Sequence, residues 1–247
     1  MRSYRLQQRD KRRPSRPILR IGLFLPLLVT WSFGLANAQN FYDSFGQYEP
    51  SSLQIYAVHI THNPPQSWTG YGIYLGHGLV LTAAHVVGRA ERTKPSVQIA
   101  GLDLPSRPVK EGSYEGVDLT LLSIEEEKLP VSLRLRQLPI CEAPPMVGEP
   151  VNVAIPEGVA RSHVMSPHLL PGNSKTKFST VISDVATTGN SGSGVFRVGR
   201  KCLLGIMSRK IQIVLNGAGQ QSETKDVAKY FVPGATIRSF IPSEYRY

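Results

Sequence analysis

Three side chains that lie far apart in the sequence have the chemistry to act together on a carbonyl group. His85 lies in "GLVLTAAHVV" (78–87), Asp118 begins "DLTLLSI", and Ser191 lies in "TTGNSGSGVF" (187–196). A serine hydroxyl is a weak nucleophile at neutral pH, so it needs an imidazole to take its proton. A carboxylate behind the imidazole fixes its tautomer and stabilises the imidazolium. These residue types predict a nucleophile, a general base and an orienting group.

Each segment taken alone also has an ordinary interpretation. Asp118 precedes an alternating apolar strand, and aspartates are common in turns. Gly189 and Gly192 flank Ser191, which suits a sharp turn that presents the side chain and points N–H groups at one spot. The same pattern suits a flexible surface loop. Ser193 is an alternative nucleophile two residues further along the chain.

Together, and in the order His, Asp, Ser, these motifs resemble those of the chymotrypsin/trypsin-like serine peptidases. "LTAAHVV" is similar to the histidine motif of that family, "DLTLL" to its aspartate motif and "GNSG" to its nucleophile motif. The resemblance covers 50–241 and is to bacterial, exported members. It implies an all-β fold of two antiparallel Greek-key β-barrels with a cleft between them. The chain ends soon after this region, so we expect a single protease domain without PDZ modules.

The resemblance also implies an activity and the residues that carry it. It implies a serine endopeptidase that hydrolyses peptide bonds of protein or peptide substrates through an acyl-enzyme, with His85, Asp118 and Ser191 as catalytic residues. The backbone N–H groups of Gly189 and Ser191 would form the oxyanion hole. No cofactor and no metal are expected. The alternative is a catalytically inactive protease-like binding protein, because a fold does not guarantee chemistry.

The residues of the primary specificity pocket are also assigned by resemblance. Val185, six residues before Ser191, would lie at its base, with Asp184 beside it. An apolar floor near Met207 would suit a small or medium apolar side chain. A shift of one residue would place Asp184 at the base and favour Arg or Lys instead.

The segment "GIMSRK" is expected to form the strand that lines this pocket. Ser208 would hydrogen-bond Asp118 from behind, and Arg209 and Lys210 could face the substrate or solvent. The edge of the strand at 208–210 would pair with an extended peptide as an added strand.

After residue 39, helical periodicity is scarce and short apolar strands are common, which is typical of a sandwich or barrel. Strands are predicted at 53–60, 70–75, 79–83, 96–100, 119–124, 151–155, 177–182, 194–198 and 202–208, with strand and a short helix over 230–241. The Pro-rich segment 138–150 would link a barrel at 39–142, which carries His85 and Asp118, to a barrel at 143–247, which carries Ser191.

The first 38 residues have the pattern of a secretory signal peptide. A basic start is followed by an apolar run that Pro26 and Gly34 interrupt, and then by "ANA" at 36–38. The interpretation as an uncleaved membrane anchor is disfavoured, because a spanning helix needs about 20 apolar residues. We therefore expect an exported protein, periplasmic or secreted, that meets a membrane only if the leader is kept.

The charge and the cysteines of the chain fit an exported protein. The first 20 residues hold eight basic residues and one acidic residue, so they account for +7 of the net charge of +10. The remaining +3 shows no basic cluster, so no nucleic-acid partner is expected. Cys141 and Cys202 are the two cysteines, and an oxidising compartment favours a disulfide between them over two buried thiols.

Overall fold

The structure, a computed structural model, describes residues 50–65, 70–183, 191–215 and 223–246. These described residues all belong to one compact unit. The predicted signal peptide lies outside the described residues, as do Val185 and Gly189. Within the part of the chain that is described, no helix has the length and apolar character needed to cross a membrane.

The described residues form strands separated by short helices. The strands are β1 (Ala57–Thr61), β2 (Gly70–Gly76), β3 (Leu79–Thr82), β4 (Ser96–Ile99), β5 (Leu102–Pro105), β6 (Arg107–Glu111), β7 (Thr120–Ser123), β8 (Pro150–Ile155), β9 (Gly158–Met165), β10 (Val181–Ser183), β11 (Gly194–Arg197), β12 (Leu203–Leu215) and β13 (Glu223–Pro233). The α-helices are α1 (Ala84–Val87), α2 (Ala90–Thr93), α3 (Val131–Arg134), α4 (Ser174–Lys177) and α5 (Gly234–Phe240). Single 3₁₀ segments lie at Pro50–Tyr56, Glu126–Lys128, Pro167–Leu169 and Ser243–Tyr245.

The strands form two antiparallel sheets, one in each half of the chain. The first has the order β5-β4-β1-β2-β3-β7-β6, and the second is a closed barrel with the order β10-β13-β12-β11-β8-β9. Ser106 alone separates β5 from β6, so both edges of the first sheet belong to one bent stretch of chain. The predicted all-β, trypsin-like architecture is confirmed, with a half-barrel in the first half and a closed barrel in the second.

The β2–β3 hairpin carries the chain to the first predicted site residue. Its turn contains Gly76, His77 and Gly78, all with positive φ, and Gly72 pairs with Thr82 at its other end. All four residues of β3 are buried. Leu79 and Leu81 pack into one apolar cluster and Val80 into another, because successive side chains of a strand point to opposite faces. This strand is therefore fixed from both sides.

Two predicted strands are shorter than expected, and three observed strands were not predicted. The segment 53–60 becomes a strand only at Ala57, because the 3₁₀ segment Pro50–Tyr56 precedes it. The segment 177–182 enters β10 only at Val181. The sequence did not indicate β5, β6 or β9. β5 and β6 are largely exposed and β9 is mostly half-buried, so none has an apolar alternation that a sequence pattern can detect.

The predicted disulfide between Cys141 and Cys202 is present, with the two Cα atoms 5.0 Å apart. Beside it, the backbone N–H of Cys141 donates to the carbonyl oxygen of Leu203 at 2.9 Å, and Ile140 forms an isolated β-bridge with Leu203. The disulfide therefore fastens the Pro-rich segment between the two sheets to the start of β12.

Candidate active site

His85 lies in the single helical turn α1, directly after β3. Its neighbours Ala84, Val86 and Val87 are buried, whereas the imidazole is 29% exposed. The carbonyl oxygen of Val86 lies 2.8 Å from Nε2 of the buried His62, which holds the turn from inside. The sequence "AAHVV" thus packs its apolar side chains into the sheet and leaves the imidazole at the surface.

Asp118 is nearly fully buried just before β7, with 2% of its surface exposed. Its Oδ2 lies 2.8 Å from Nδ1 of His85, and its Oδ1 accepts the backbone N–H of His85 at 3.1 Å. Ser208 donates its hydroxyl to Oδ2 at 2.5 Å. Burial acts to raise the pKa of Asp118, but the hydrogen bonds from His85 and Ser208 outweigh it and lower that pKa. The carboxylate is therefore ionised at neutral pH.

Ser191 completes the arrangement from the second sheet. Its Oγ lies 2.6 Å from Nε2 of His85 and 3.1 Å from the carbonyl oxygen of Ser208. The carboxylate of Asp118 can only accept a hydrogen bond, so Nδ1 carries the imidazole proton and Nε2 is the acceptor. The hydroxyl of Ser191 therefore has two acceptors within reach, the carbonyl oxygen of Ser208 and Nε2 of His85, and the shorter contact to Nε2 is the one along which its proton can be transferred.

The backbone around Ser191 is held by Gly192 and Tyr71. Tyr71 donates its backbone N–H to the carbonyl oxygen of Ser191 at 2.9 Å, and Gly192 donates its own to Met207 at 2.8 Å. Gly192 has a φ of +89°, and a Cβ there would lie 1.8 Å from the carbonyl oxygen of Tyr71. Only glycine fits this position, so its place after the serine is a steric requirement.

Ser193, the alternative nucleophile, has a different environment. It is fully buried, with 0% of its surface exposed, and its carbonyl oxygen accepts the backbone N–H of Met207 at 2.8 Å. Since a nucleophile must reach a substrate, this burial makes Ser193 a poor candidate. The structure brings Ser191 to His85.

The residues predicted to bind substrate are placed differently from one another. Ser208 lies behind Asp118, as the resemblance implies. Arg209 is turned inward, with its side chain only 14% exposed, and donates to the carbonyl oxygen of Tyr114 at 2.6 Å. Lys210 lies 3.3 Å from Asp226. Neither cation extends freely along the edge of β12.

Tyr114 is a residue of this site that the sequence analysis did not single out. Its ring packs edge-on against the imidazole of His85, with centroids 5.3 Å apart, and 44% of the residue is exposed. The available signal was its position, an aromatic residue in the loop "GSYEG" four residues before Asp118. Aromatic residues in such loops commonly contact a ligand or a catalytic group.

The described residues hold no group of three or more His, Cys, Asp or Glu side chains placed to bind a metal ion. The site is built from hydrogen-bond donors and acceptors, and its continuous chain of contacts from Asp118 through His85 to Ser191 can move a proton away from a hydroxyl.

Solved structures with the same fold come from peptidases of varied origin. Kallikrein-related peptidase 10 superposes with a TM-score of 0.54 at 18% identity, over 78% of this chain and 95% of the other. The inactive form of the M. tuberculosis protease Rv3671c gives 0.51 at 15% identity, over 77% and 89%. A serine endoprotease from Yersinia pestis gives 0.51 at 18% identity, over 76% and 61%. These likenesses concern the fold.

Sequence comparison identifies the family. No curated protein sequence matches the chain. The sequence model described as "Trypsin-like peptidase domain" matches residues 70–206, more than half of the chain. This match covers His85, Asp118 and Ser191, and it agrees with the sheet topology and with the solved structures above. The chain belongs to the trypsin-like serine peptidases.

Proposed function

We propose that this protein is an exported serine endopeptidase in which His85, Asp118 and Ser191 form the catalytic triad. One observation carries the proposal: contacts of 2.8 and 2.6 Å link a buried carboxylate, an imidazole and a hydroxyl that lie 33 and 106 residues apart. An activated nucleophile must be accessible to its substrate, and the hydroxyl at the end of these contacts belongs to a residue that is only partly buried.

The reaction follows from the proton positions. Ser191 Oγ attacks the peptide carbonyl carbon while Nε2 of His85 takes the hydroxyl proton, and Asp118 stabilises the resulting imidazolium. The imidazolium gives the proton to the leaving amine, which breaks the C–N bond and leaves an acyl-enzyme. A water molecule, deprotonated by His85, then hydrolyses the ester, and the proton returns to Ser191.

The oxyanion hole and the substrate-binding strand complete the proposal. The backbone N–H groups of Gly189 and Ser191 would stabilise the tetrahedral intermediate, and one such donor contributes roughly 3 kcal/mol. Val185 would form the base of the primary pocket. β12 pairs with β13 from Gly205 to Leu215 but with β11 only as far as Ile206. Its other edge, free of a strand partner among the described residues, would receive the substrate backbone near Ser208.

A fluorophosphonate probe tests the proposed nucleophile. The probe forms a covalent bond with an activated serine, so the wild-type protein should be labelled and Ser191→Ala should not. Ser193→Ala is the matched control, because it removes a hydroxyl two residues away and should leave labelling intact. Peptide mapping of the adduct should place the label on Ser191.

Two results would contradict this proposal. Labelling of Ser191→Ala would assign the nucleophile elsewhere. No labelling of the wild-type protein, together with no cleavage of a peptide library, would favour the alternative of an inactive protease-like binding protein.

The proposal also includes export and the division of the chain. A signal peptide at 1–38 would be removed, leaving a first barrel at 39–142 and a second at 143–247. A disulfide fits an oxidising compartment. N-terminal sequencing of the protein from the periplasm and from the medium should read from Gln39. An N-terminus at Met1 in a membrane fraction would instead show that the leader is kept as an anchor.

A further inference from the structure

Arg209 makes an unusual set of contacts around the proposed triad. Its Nη2 donates to the carbonyl oxygen of Tyr114 at 2.6 Å, and its Nε donates to Oγ of Ser208 at 3.2 Å. Its guanidinium carbon lies 3.8 Å from the centroid of the Tyr114 ring. Nη2 also lies 3.8 Å from Oδ2 of Asp118. Four different interactions therefore converge on one largely buried cation.

We infer that Arg209 is a positioning residue that holds Asp118 and His85 aligned with Ser191. The inference rests on the proposed function, since it concerns the same triad. Arg209 belongs to β12 of the second sheet, whereas Tyr114 and Asp118 belong to the loop before β7 of the first. The side chain thus ties the loop that carries the carboxylate to the strand of the opposite sheet.

The hydrogen bond from Arg209 to Ser208 determines where the hydroxyl proton of Ser208 points. A serine hydroxyl has one proton, and Arg209 can only donate. When Nε donates to Oγ of Ser208, the hydroxyl proton is left to point at Oδ2 of Asp118, 2.5 Å away. The charge of the guanidinium also strengthens the bonds along the chain from Ser208 to Asp118.

The stacking on Tyr114 extends the same restraint to the imidazole. The guanidinium lies over one face of the ring, and the ring is in edge contact with His85. A planar, delocalised cation suits both the ring face and the forked hydrogen bonds, and a lysine ammonium suits neither as well. We therefore expect that this position requires an arginine and that a positive charge alone is not sufficient.

The adjacent Lys210 provides a matched control. It is also cationic, but its side chain is 55% exposed and lies 3.3 Å from Asp226, away from the triad. Lys210→Ala removes the same charge from the neighbouring residue without touching Ser208, Tyr114 or Asp118.

The test separates triad alignment from substrate binding. For the full chain we would measure the rate of fluorophosphonate labelling together with kcat and KM for a cleaved peptide. In Arg209→Ala, labelling and kcat should both fall about 10²-fold, the scale expected for misplacement by about 1 Å, with KM little changed. Arg209→Lys should fall between this variant and the wild type. Lys210→Ala should keep the wild-type rate of fluorophosphonate labelling, which does not depend on the pairing of a substrate with this strand edge.

Several outcomes would overturn the inference. If Arg209→Ala is labelled at the wild-type rate but has a raised KM, Arg209 contacts the substrate. An equal loss in Lys210→Ala would mean a general charge effect. If Arg209→Ala does not fold, Arg209→Lys decides: labelling at the wild-type rate in a folded protein would contradict the inference.

A spectroscopic readout distinguishes failure of this inference from failure of the proposed function. The Nδ1 proton of His85, shared with Asp118, should give a far-downfield NMR resonance that needs no turnover. It should broaden in Arg209→Ala and persist in Lys210→Ala. An unchanged resonance in Arg209→Ala would contradict the positioning role, whether or not the wild-type protein is labelled by the probe.

Discussion

The two halves of this protein meet through two junctions of opposite chemistry. The polar junction consists of His85 and Asp118 from the first half with Ser191, Ser208 and Arg209 from the second, joined by hydrogen bonds. The apolar junction is a buried cluster that draws residues from both halves, among them Leu79, Leu121, Phe196, Ile206 and Ile237.

The two junctions make different contributions to stability and to geometry. Apolar burial is non-directional and stabilises in proportion to the area removed from water. Hydrogen bonds contribute little net free energy but fix distance and angle. The apolar junction should therefore determine how strongly the halves are held, and the polar junction should determine whether the proposed triad is aligned. Changes to each should affect different measurements.

The largest expected effect comes from breaking the polar junction at its carboxylate. In Asp118→Asn the side-chain NH₂ can face Nδ1 of His85. Nδ1 would then accept a hydrogen bond, and the imidazole proton would move to Nε2, where it blocks acceptance of the Ser191 proton. We expect kcat to fall by about 10⁴, with little change in the thermal midpoint. The measurement is peptide hydrolysis alongside thermal unfolding. A loss below tenfold would argue against a role for Asp118 in catalysis.

Removing the disulfide should have the largest effect on stability. Cys141 and Cys202 are 61 residues apart, and the chain-entropy treatment gives about 4 kcal/mol for a closed loop of that length. Cys141→Ala with Cys202→Ala should lower the urea midpoint accordingly, while the labelling rate per folded molecule stays the same. Reduced wild-type protein is the control and should behave alike. A lower labelling rate of the folded variant would link the disulfide to the site.

A smaller effect is expected from trimming the apolar junction. Ile237 is fully buried in its cluster, so Ile237→Val should reduce the free energy of unfolding by about 1 kcal/mol and leave kcat unchanged. Leu135 is 80% exposed, and Leu135→Ala should change stability by less than about 0.5 kcal/mol. Equal effects in chemical denaturation would contradict the assignment of Ile237 to a stabilising core.

The smallest expected effect is the pH dependence that Asp118 contributes. Its folded-state pKa is lowered, so its contribution to stability is present above the unfolded value of about 3.9 and is lost as pH falls through the folded pKa. Burial opposes the hydrogen bonds, so the contribution is the difference between two opposing effects. Urea midpoints measured between about pH 5 and pH 3 should fall more steeply for the wild type than for Asp118→Asn. Parallel curves would contradict the lowered pKa.

The sequence predicted the parts of this fold whose patterns are local. The β2–β3 hairpin has apolar strands on either side of "GHG", and its turn needs residues that tolerate positive φ. Strands of the two cores, such as β3, β8 and β11, were predicted within a residue or two because their apolar residues are contiguous. Exposed strands such as β6 were missed, because their pairing depends on a neighbouring strand and not on their own apolar content.

The sequence by itself determined which residue types could form a triad, and it limited the cysteines to one intramolecular pair. Only the tertiary structure decided that Ser191 lies against His85 while Ser193 is buried, and that Arg209 turns inward onto Tyr114. The reason is physical: neighbouring serines in a glycine-rich loop have similar local preferences, and an arginine on a strand can reach in several directions. Which hydroxyl and which direction prevail depends on side chains that approach from the other sheet.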